Sequence, residues 1–297
     1  MNMFDSITAD TLYSDIMMQR STDRRSFLIV EGSEDVKALD PHVAESRCLM
    51  IIAGGKENAL GAMELVVQNE IEHVGALVDG DHICKEIDVR LGLPGVVTTD
   101  RNDLDSEVLQ IPGLVSRIAF SHIDGRVLRA VLAKNGCADV LGAILRIVAP
   151  VTNLRFACQQ YGVDLSTKDF PIVSIYSKGK IELSFDQAAA VARGRLGTED
   201  QPVYGPVIES WLTSDEVDDA DALIFHNGHH MFSALHALLR HECAYTPKIE
   251  NLENAVRAAA SWPEFSSLDF AKRLSDEFED MGFWIWREER APATSVA

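Results

Sequence analysis

Phe27-Leu28-Ile29-Val30-Glu31-Gly32-Ser33-Glu34-Asp35 is the stretch on which the fold turns. Four apolar residues run into an acid, a glycine and then a polar opening. A short apolar run bounded by a turn former reads as a buried strand. Ser33 is a candidate helix cap, with Glu34 and Asp35 in the first turn, where the helix dipole favours acids. The pattern recurs on both sides. Thr8 can cap a helix over residues 8–20, with Leu12, Ile16 and Met17 on one face. Residues 49–53 read as a second strand, broken by Gly54-Gly55. Residues 56–70 then read as a helix with apolar positions Leu60, Met63, Leu65 and Val67. Residues 74–78 make a third strand and end at Asp79-Gly80-Asp81. Residues 95–99 make a fourth, followed by Asp100, Asp103, Asp105 and Glu107 around a helix over 104–109.

Strands alternating with helices imply parallel pairing through right-handed crossovers. The strands lack strict alternation, as expected of a parallel sheet covered on both faces. Ligand sites in such sheets gather at the carboxyl ends of the strands. The fold class is therefore α/β: a parallel sheet flanked by helices, with a mostly helical C-terminal region. Residues 1–110 are expected to form the first domain and residues 111–297 the helical region. Within that region, helices are expected over 127–132, 140–148, 154–161, 185–196, 231–241 and 252–286. Residues 172–176 and 181–184 read as a hairpin around Lys178-Gly179-Lys180. Residues 198–221 read as a loop or hinge, and residues 222–225 as a strand that returns to the sheet.

The 297 residues, 46% of them hydrophobic, can bury one large core or two smaller ones. No stretch approaches the ~18 consecutive apolar residues of a membrane span, and the first residues lack a signal-peptide pattern. Five scattered cysteines without a C-x-x-C pair suit reduced thiols in a cytoplasmic protein. A net charge of −19 argues against simple coating of nucleic acid. The charge is uneven, however. Residues 111–180 hold 9 basic and 4 acidic side chains and are the segment that a phosphate backbone favours.

Carboxylates crowded at strand ends oppose one another's ionisation unless a cation offsets them. Mg²⁺ or Mn²⁺ does so with hard oxygen ligands and supports phosphodiester chemistry by neutralising phosphate charge and activating water. Asp79 and Asp81 are the first candidates as ligands, their side chains sharing a direction if the segment is extended. Glu31 is a ligand or general base. Lys56, at a helix start, can contact the scissile phosphate or offset the charge of the leaving oxygen. His226, His229 and His230 form a separate cluster. They read as a loop-to-helix junction or as a contribution to the acidic site, with His229 or His230 as general acid or phosphate contact. Phe283, Trp284 and Trp286 read as a packed C-terminal helix or a partner patch. A P-loop and a G-x-S-x-G elbow are both absent from the sequence.

The sequence resembles the Toprim fold, the metal-binding module of topoisomerases, primases and overcoming-lysogenization-defect nucleases. The matching residues are Val30-Glu31-Gly32 with Asp35, then Asp79-Gly80-Asp81, over about residues 25–110. Within that fold it is similar to a bacterial Toprim-like family carrying a domain of unknown function. The further matches are Gly54-Gly55-Lys56, Thr98-Thr99-Asp100 running on to Ser106-Glu107, and Gly228-His229-His230. The best-known member type is the nuclease subunit of the PARIS anti-phage defence system. The resemblance implies a Mg²⁺-dependent nuclease held by a separate ABC-type ATPase and released to cleave RNA, transfer RNA being the known target class, or DNA. A second copy of the chain is a further candidate partner. It also implies that Asp35 and Glu107 complete a second metal site or position water. Position 83, a third aspartate in many Toprim proteins, is Ile83 here; in the overcoming-lysogenization-defect pattern Glu107 supplies that ligand. Two other classes fit the residues: a non-catalytic scaffold binding nucleotide or a partner ATPase, and a small-molecule phosphoesterase.

Overall fold

The computed structural model describes residues 7–81, 88–214 and 224–287. They fall into two compact units. The first comprises the described residues up to Gly80, from 88 to Asp100, and from Ala260 onward; the second comprises Asp81 and residues 101–259.

The first unit is built on four parallel strands in the order β2-β1-β3-β4. They are β1 (Ser26–Val30), β2 (Cys48–Ile52), β3 (Val74–Val78) and β4 (Val96–Thr98). Every residue of β1 and β3 is buried. That explains the uninterrupted apolar runs, because both faces are covered. Phe27 pairs with Leu49 on one side and Val74 on the other, which makes β1 central. Helix α1 (Ala9–Arg20) starts at the Thr8 cap as expected, and α2 (Ser33–Leu39) and α3 (Lys56–Gln68) complete the crossovers. The α2 cap is Gly32 rather than Ser33. Helix α3 buries Leu60, Met63 and Val66 rather than Leu65 and Val67. Its neighbour α1 approaches closely: a Cβ on Gly61 would lie 2.8 Å from that of Ala9.

The division at residue 110 read from the sequence differs from the one the chain adopts. The helix Asp269–Asp280 packs on β3 and β4. A Cβ on Gly75 would lie 2.9 Å from the Phe278 ring, so the glycine admits the aromatic. Glu277 accepts from the Gly95 amide at 3.0 Å. Arg273 donates to the Thr98 carbonyl at 2.7 Å and to Asp100 at 2.6 Å. Trp286, fully buried, bonds Ser275 at 2.6 Å and pairs with Val43 in an isolated bridge. The helix expected over 252–286 is instead three helices, Ile249–Ala259, Trp262–Phe265 and Asp269–Asp280, followed by an irregular end.

The second unit is helical. Its core is Val140–Tyr161, a single helix where two were expected, with Pro150 inside it. By length and composition this helix could cross a membrane, yet it is the helix on which Gly228–Glu242 and Ile208–Leu212 pack. The expected hairpin is present but short, Tyr176–Ser177 paired antiparallel with Glu182–Leu183. Two short helices, Gln201–Tyr204 and Ile208–Leu212, occupy part of the expected loop. The returning strand over 222–225 is overturned where it can be seen. Ile224 and Phe225 are helical, and residues 222 and 223 lie outside the described residues. The apolar pair packs locally, Phe225 against Phe156 with ring centroids 5.7 Å apart.

Candidate functional site

Strand order decides where a ligand can sit. The chain leaves β1 toward β2 on one side and then crosses to β3 on the other, so order reverses between β1 and β3. A crevice opens outside the carboxyl ends at such a switch point. Glu31 directly follows β1, and Asp79 directly follows β3. The Glu31 carboxylate accepts from the Asp79 amide at 2.7 Å through Oε1. Lys56, the first residue of α3, donates from Nζ to the Asp79 carbonyl at 2.6 Å. The Gly55 amide donates to the Glu31 carbonyl at 3.0 Å. Gly55 has φ 129°, and a Cβ there would meet nothing within 4 Å; backbone conformation, not space, demands glycine. The Gly80 amide donates to Thr99 Oγ1 at 2.8 Å, joining the end of β3 to the end of β4. Carboxylate, ammonium, hydroxyl and a glycine turn thus meet at one edge of the sheet. The partial positive charge of the α3 N-terminus adds to that of Lys56.

The other acids have local duties. Asp35 Oδ2 accepts from the Gly32 amide at 2.8 Å, the reciprocal bond of a helix start. Asp81 has φ 44°, and its amide donates to the Asn102 carbonyl at 3.1 Å. The segment is therefore not extended at Asp81, the condition on which a direction shared by Asp79 and Asp81 was expected. Position 83 lies outside the described residues. Glu107 is buried and takes Arg101 on both oxygens, from the amide at 2.8 Å and the guanidinium at 2.8 Å. That clamp shapes the turn before the 104–109 helix. Asp103 caps that helix and accepts from the Gly228 amide and Asn227. Burial pushes its carboxyl above the ordinary range against those bonds. Asp105 holds Arg257 through two bonds of 2.8 and 2.7 Å, and Asp100 holds Arg273. The acidic run after β4 is thus a set of separate ion pairs and caps. Among the described residues, no group of three or more Asp, Glu, His or Cys side chains could hold a metal ion.

A Mg²⁺ ion nevertheless needs few protein ligands. It is bound through one or two carboxylates, with water and substrate phosphates completing the shell. Glu31 and Asp79 offer hard oxygens of that kind, so the donor chemistry fits.

The histidines are placed differently from one another. His226 Nδ1 lies 2.7 Å from Thr152 Oγ1. His230 Nε2 lies 2.9 Å from the Thr167 carbonyl, to which it donates. Both are buried in the second unit. Burial holds each imidazole down to about 4, helped by the Arg155 charge. His229 is exposed, 3.7 Å from Asp169. Thr99 entered the sequence reading only through the Thr98-Thr99-Asp100 match and without a role, and Arg155 did not enter it. Thr99 carried a signal in its place at a strand end, whereas nothing local marks Arg155.

Compared with known proteins, the chain matches no family model and no curated protein.

Proposed function

We propose that the chain is a Mg²⁺-dependent phosphodiesterase, a Toprim-like nuclease acting in phage defence. The observation that supports it most is the clasp at the switch point: the Glu31 carboxylate on the Asp79 amide, with the Lys56 ammonium on the Asp79 carbonyl. Glu31 and Asp79 would hold the ion. A bound Mg²⁺ would neutralise phosphate charge and lower the pKa of water. Lys56, at a glycine-led helix start, offers positive charge to a phosphate oxygen. The fixed backbone of Gly54-Gly55 and Gly80 lets a phosphate approach closely. The resemblance of the sequence supplies the substrate class, RNA with transfer RNA foremost, or DNA. It likewise supplies the ABC-type ATPase as holder of the nuclease, while the scattered cysteines, read as reduced thiols, suggest the cytoplasm as its place of action.

The test is a cleavage assay with Mg²⁺ on transfer RNA and on single-stranded and duplex DNA. Glu31→Gln and Asp79→Asn should each lower the cleavage rate by at least about 10²-fold and leave the circular dichroism spectrum unchanged. Full activity in either variant sinks the assignment.

A second reading has its own support. Lys56 already supplies a cation at Asp79, and Arg101 already engages Glu107, as in a site that serves structure alone. On that reading the protein is a scaffold for nucleotide or an ATPase partner. Calorimetric titration with Mg²⁺ and Mn²⁺ separates the two, since the scaffold shows no heat of binding.

A further inference from the structure

The basic stretch noted in the sequence gathers within the second unit, at the corner formed by the helices Leu114–His122 and Gly125–Lys134. From Leu114 to Arg146 the chain holds five cations, Arg117, Arg126, Arg129, Lys134 and Arg146, against two acids, Asp124 and Asp139, in a protein of net charge −19. Both acids are helix caps: Asp124 accepts from the Arg126 amide and Asp139 from the Gly142 amide. Leu128 and Leu132, one turn apart, bury one face of the Gly125–Lys134 helix. The other face is exposed at Arg126, Arg129, Ala130, Ala133 and Lys134. The two alanines keep its middle flat, and the three cations surround them. Cations elsewhere on the surface stand against acids, as Lys37 does with Glu34, Arg90 with Glu57 and Lys272 with Asp269. Among the described residues, Arg126, Arg129 and Lys134 have no ion pair.

Aromatic rings stand at the same corner. Phe120 is 37% exposed, with the Arg129 guanidinium 5.5 Å from its ring centre. A Cβ on Gly125 would lie 3.3 Å from that ring and 3.2 Å from that guanidinium, so the glycine lets the corner close around the pair. His122, in the last turn with Phe120, stacks on Tyr245 with centroids 5.4 Å apart. Arg126 to Lys134 spans about 12 Å of helix axis, the rise of roughly three to four nucleotides of one strand. A strip of cations with exposed rings suits a single strand of nucleic acid, the charges taking phosphates and the rings taking unstacked bases. An acidic polypeptide would meet the charges and leave the rings unused. We propose that this corner is an anchoring surface for single-stranded nucleic acid. Arg126, Arg129 and Lys134 neutralise phosphates, and a base packs on the exposed side of Phe120. The surface goes beyond the cleavage proposed above: it holds a strand and takes no part in breaking a bond.

Fluorescence anisotropy on the full chain, in EDTA so that no cleavage intrudes, tests it with a labelled single-stranded RNA of about 12 nucleotides. Three neutralised phosphates give a log–log salt slope of about −2, so affinity should fall about 20-fold from about 50 to about 200 mM salt. Arg126→Gln combined with Lys134→Gln should weaken binding by about tenfold or more at the lower salt and make the slope shallower by about 1.4. Lys37→Gln combined with Lys272→Gln, an equal loss of charge elsewhere, should change neither. Phe120→Leu, which keeps an apolar side chain, should weaken binding by about fivefold or more. Glu31→Gln should bind as the parent does, so this result and that of the cleavage assay fail separately. Absence of binding at about 50 mM salt overturns the proposal, and so does an unchanged Arg126→Gln, Lys134→Gln protein. Displacement of the RNA by polyglutamate as readily as by unlabelled RNA overturns it too, and marks the corner as a site for an acidic protein. A duplex of the same length that binds equally or more tightly has the same consequence.

Discussion

Gly228 shows how tightly one residue can be specified. A Cβ there would lie 2.4 Å from the Asp105 Cβ and 2.9 Å from the Ser106 amide nitrogen. Both are fixed atoms, and neither can swing away. Gly228→Ala should therefore destabilise the second unit by about 2–3 kcal/mol, the cost of overpacking a close contact, as measured by urea unfolding. A smaller loss than ~1 kcal/mol would mean that the two helices can part at little cost. The ion pair beside it makes a second case. Arg257 is 3% exposed and meets Asp105 through two bonds. Arg257→Met leaves the partly buried Asp105 carboxylate without its cation, which should cost about 2–3 kcal/mol, below the range for a fully buried pair. The double variant with Asp105→Leu should recover much of that loss, because it removes the stranded charge along with its partner.

At the scale of elements, the edge of the sheet carries the prediction. Thr99 joins β3 to β4 through the Gly80 amide. Thr99→Val keeps the shape and removes the acceptor. The amide of a turn next to the clasp is then left without its bond, at a cost of about 1–3 kcal/mol. On the proposed function, Mg²⁺-dependent cleavage should also fall, and Thr99→Ser should restore it. The four strands were legible because each is a short apolar run closed by glycine or acid, and burial on both faces leaves no other reading. Their order was not legible, since pairing between β1 and β3 is set by crossovers rather than by local residues. That Glu31 and Asp79 lie together was expected because both close strands; the contact runs from the Glu31 carboxylate to the Asp79 backbone amide. The turn at Asp81 was not legible because a positive φ at an aspartate has no local signature in D-G-D. The pairings of Asp100 and Asp105 were not legible because their cations, Arg273 and Arg257, lie more than a hundred residues away in the chain.

For the whole molecule, buried histidines dictate the response to acid. His42, His226 and His230 are all held down to about 4 from an ordinary 6.5, burial being the main cause in each. An unfolded chain protonates these rings first as pH falls. Their contribution is therefore fully present above about pH 6.5 and is lost progressively toward pH 4. Each histidine should remove on the order of 1–2 kcal/mol by pH 5. Urea midpoints at pH 7.5 and pH 5 should show the fall, and His42→Phe should reduce it. A flat profile over that window would mean that the rings are charged in the folded state.

The sheet of the first unit is closed by the Asp269–Asp280 helix, with Phe278 seated on Gly75 and Trp286 on Ser275. During synthesis the ribosome must therefore read through the entire second unit before the strands receive their last cover. Until then β3 and β4 wait with an apolar face open to water, a state prone to association. A chain stopped before residue 278 therefore lacks the cover that Phe278 gives Gly75, and the sheet that carries Glu31 and Asp79 stays open on that face.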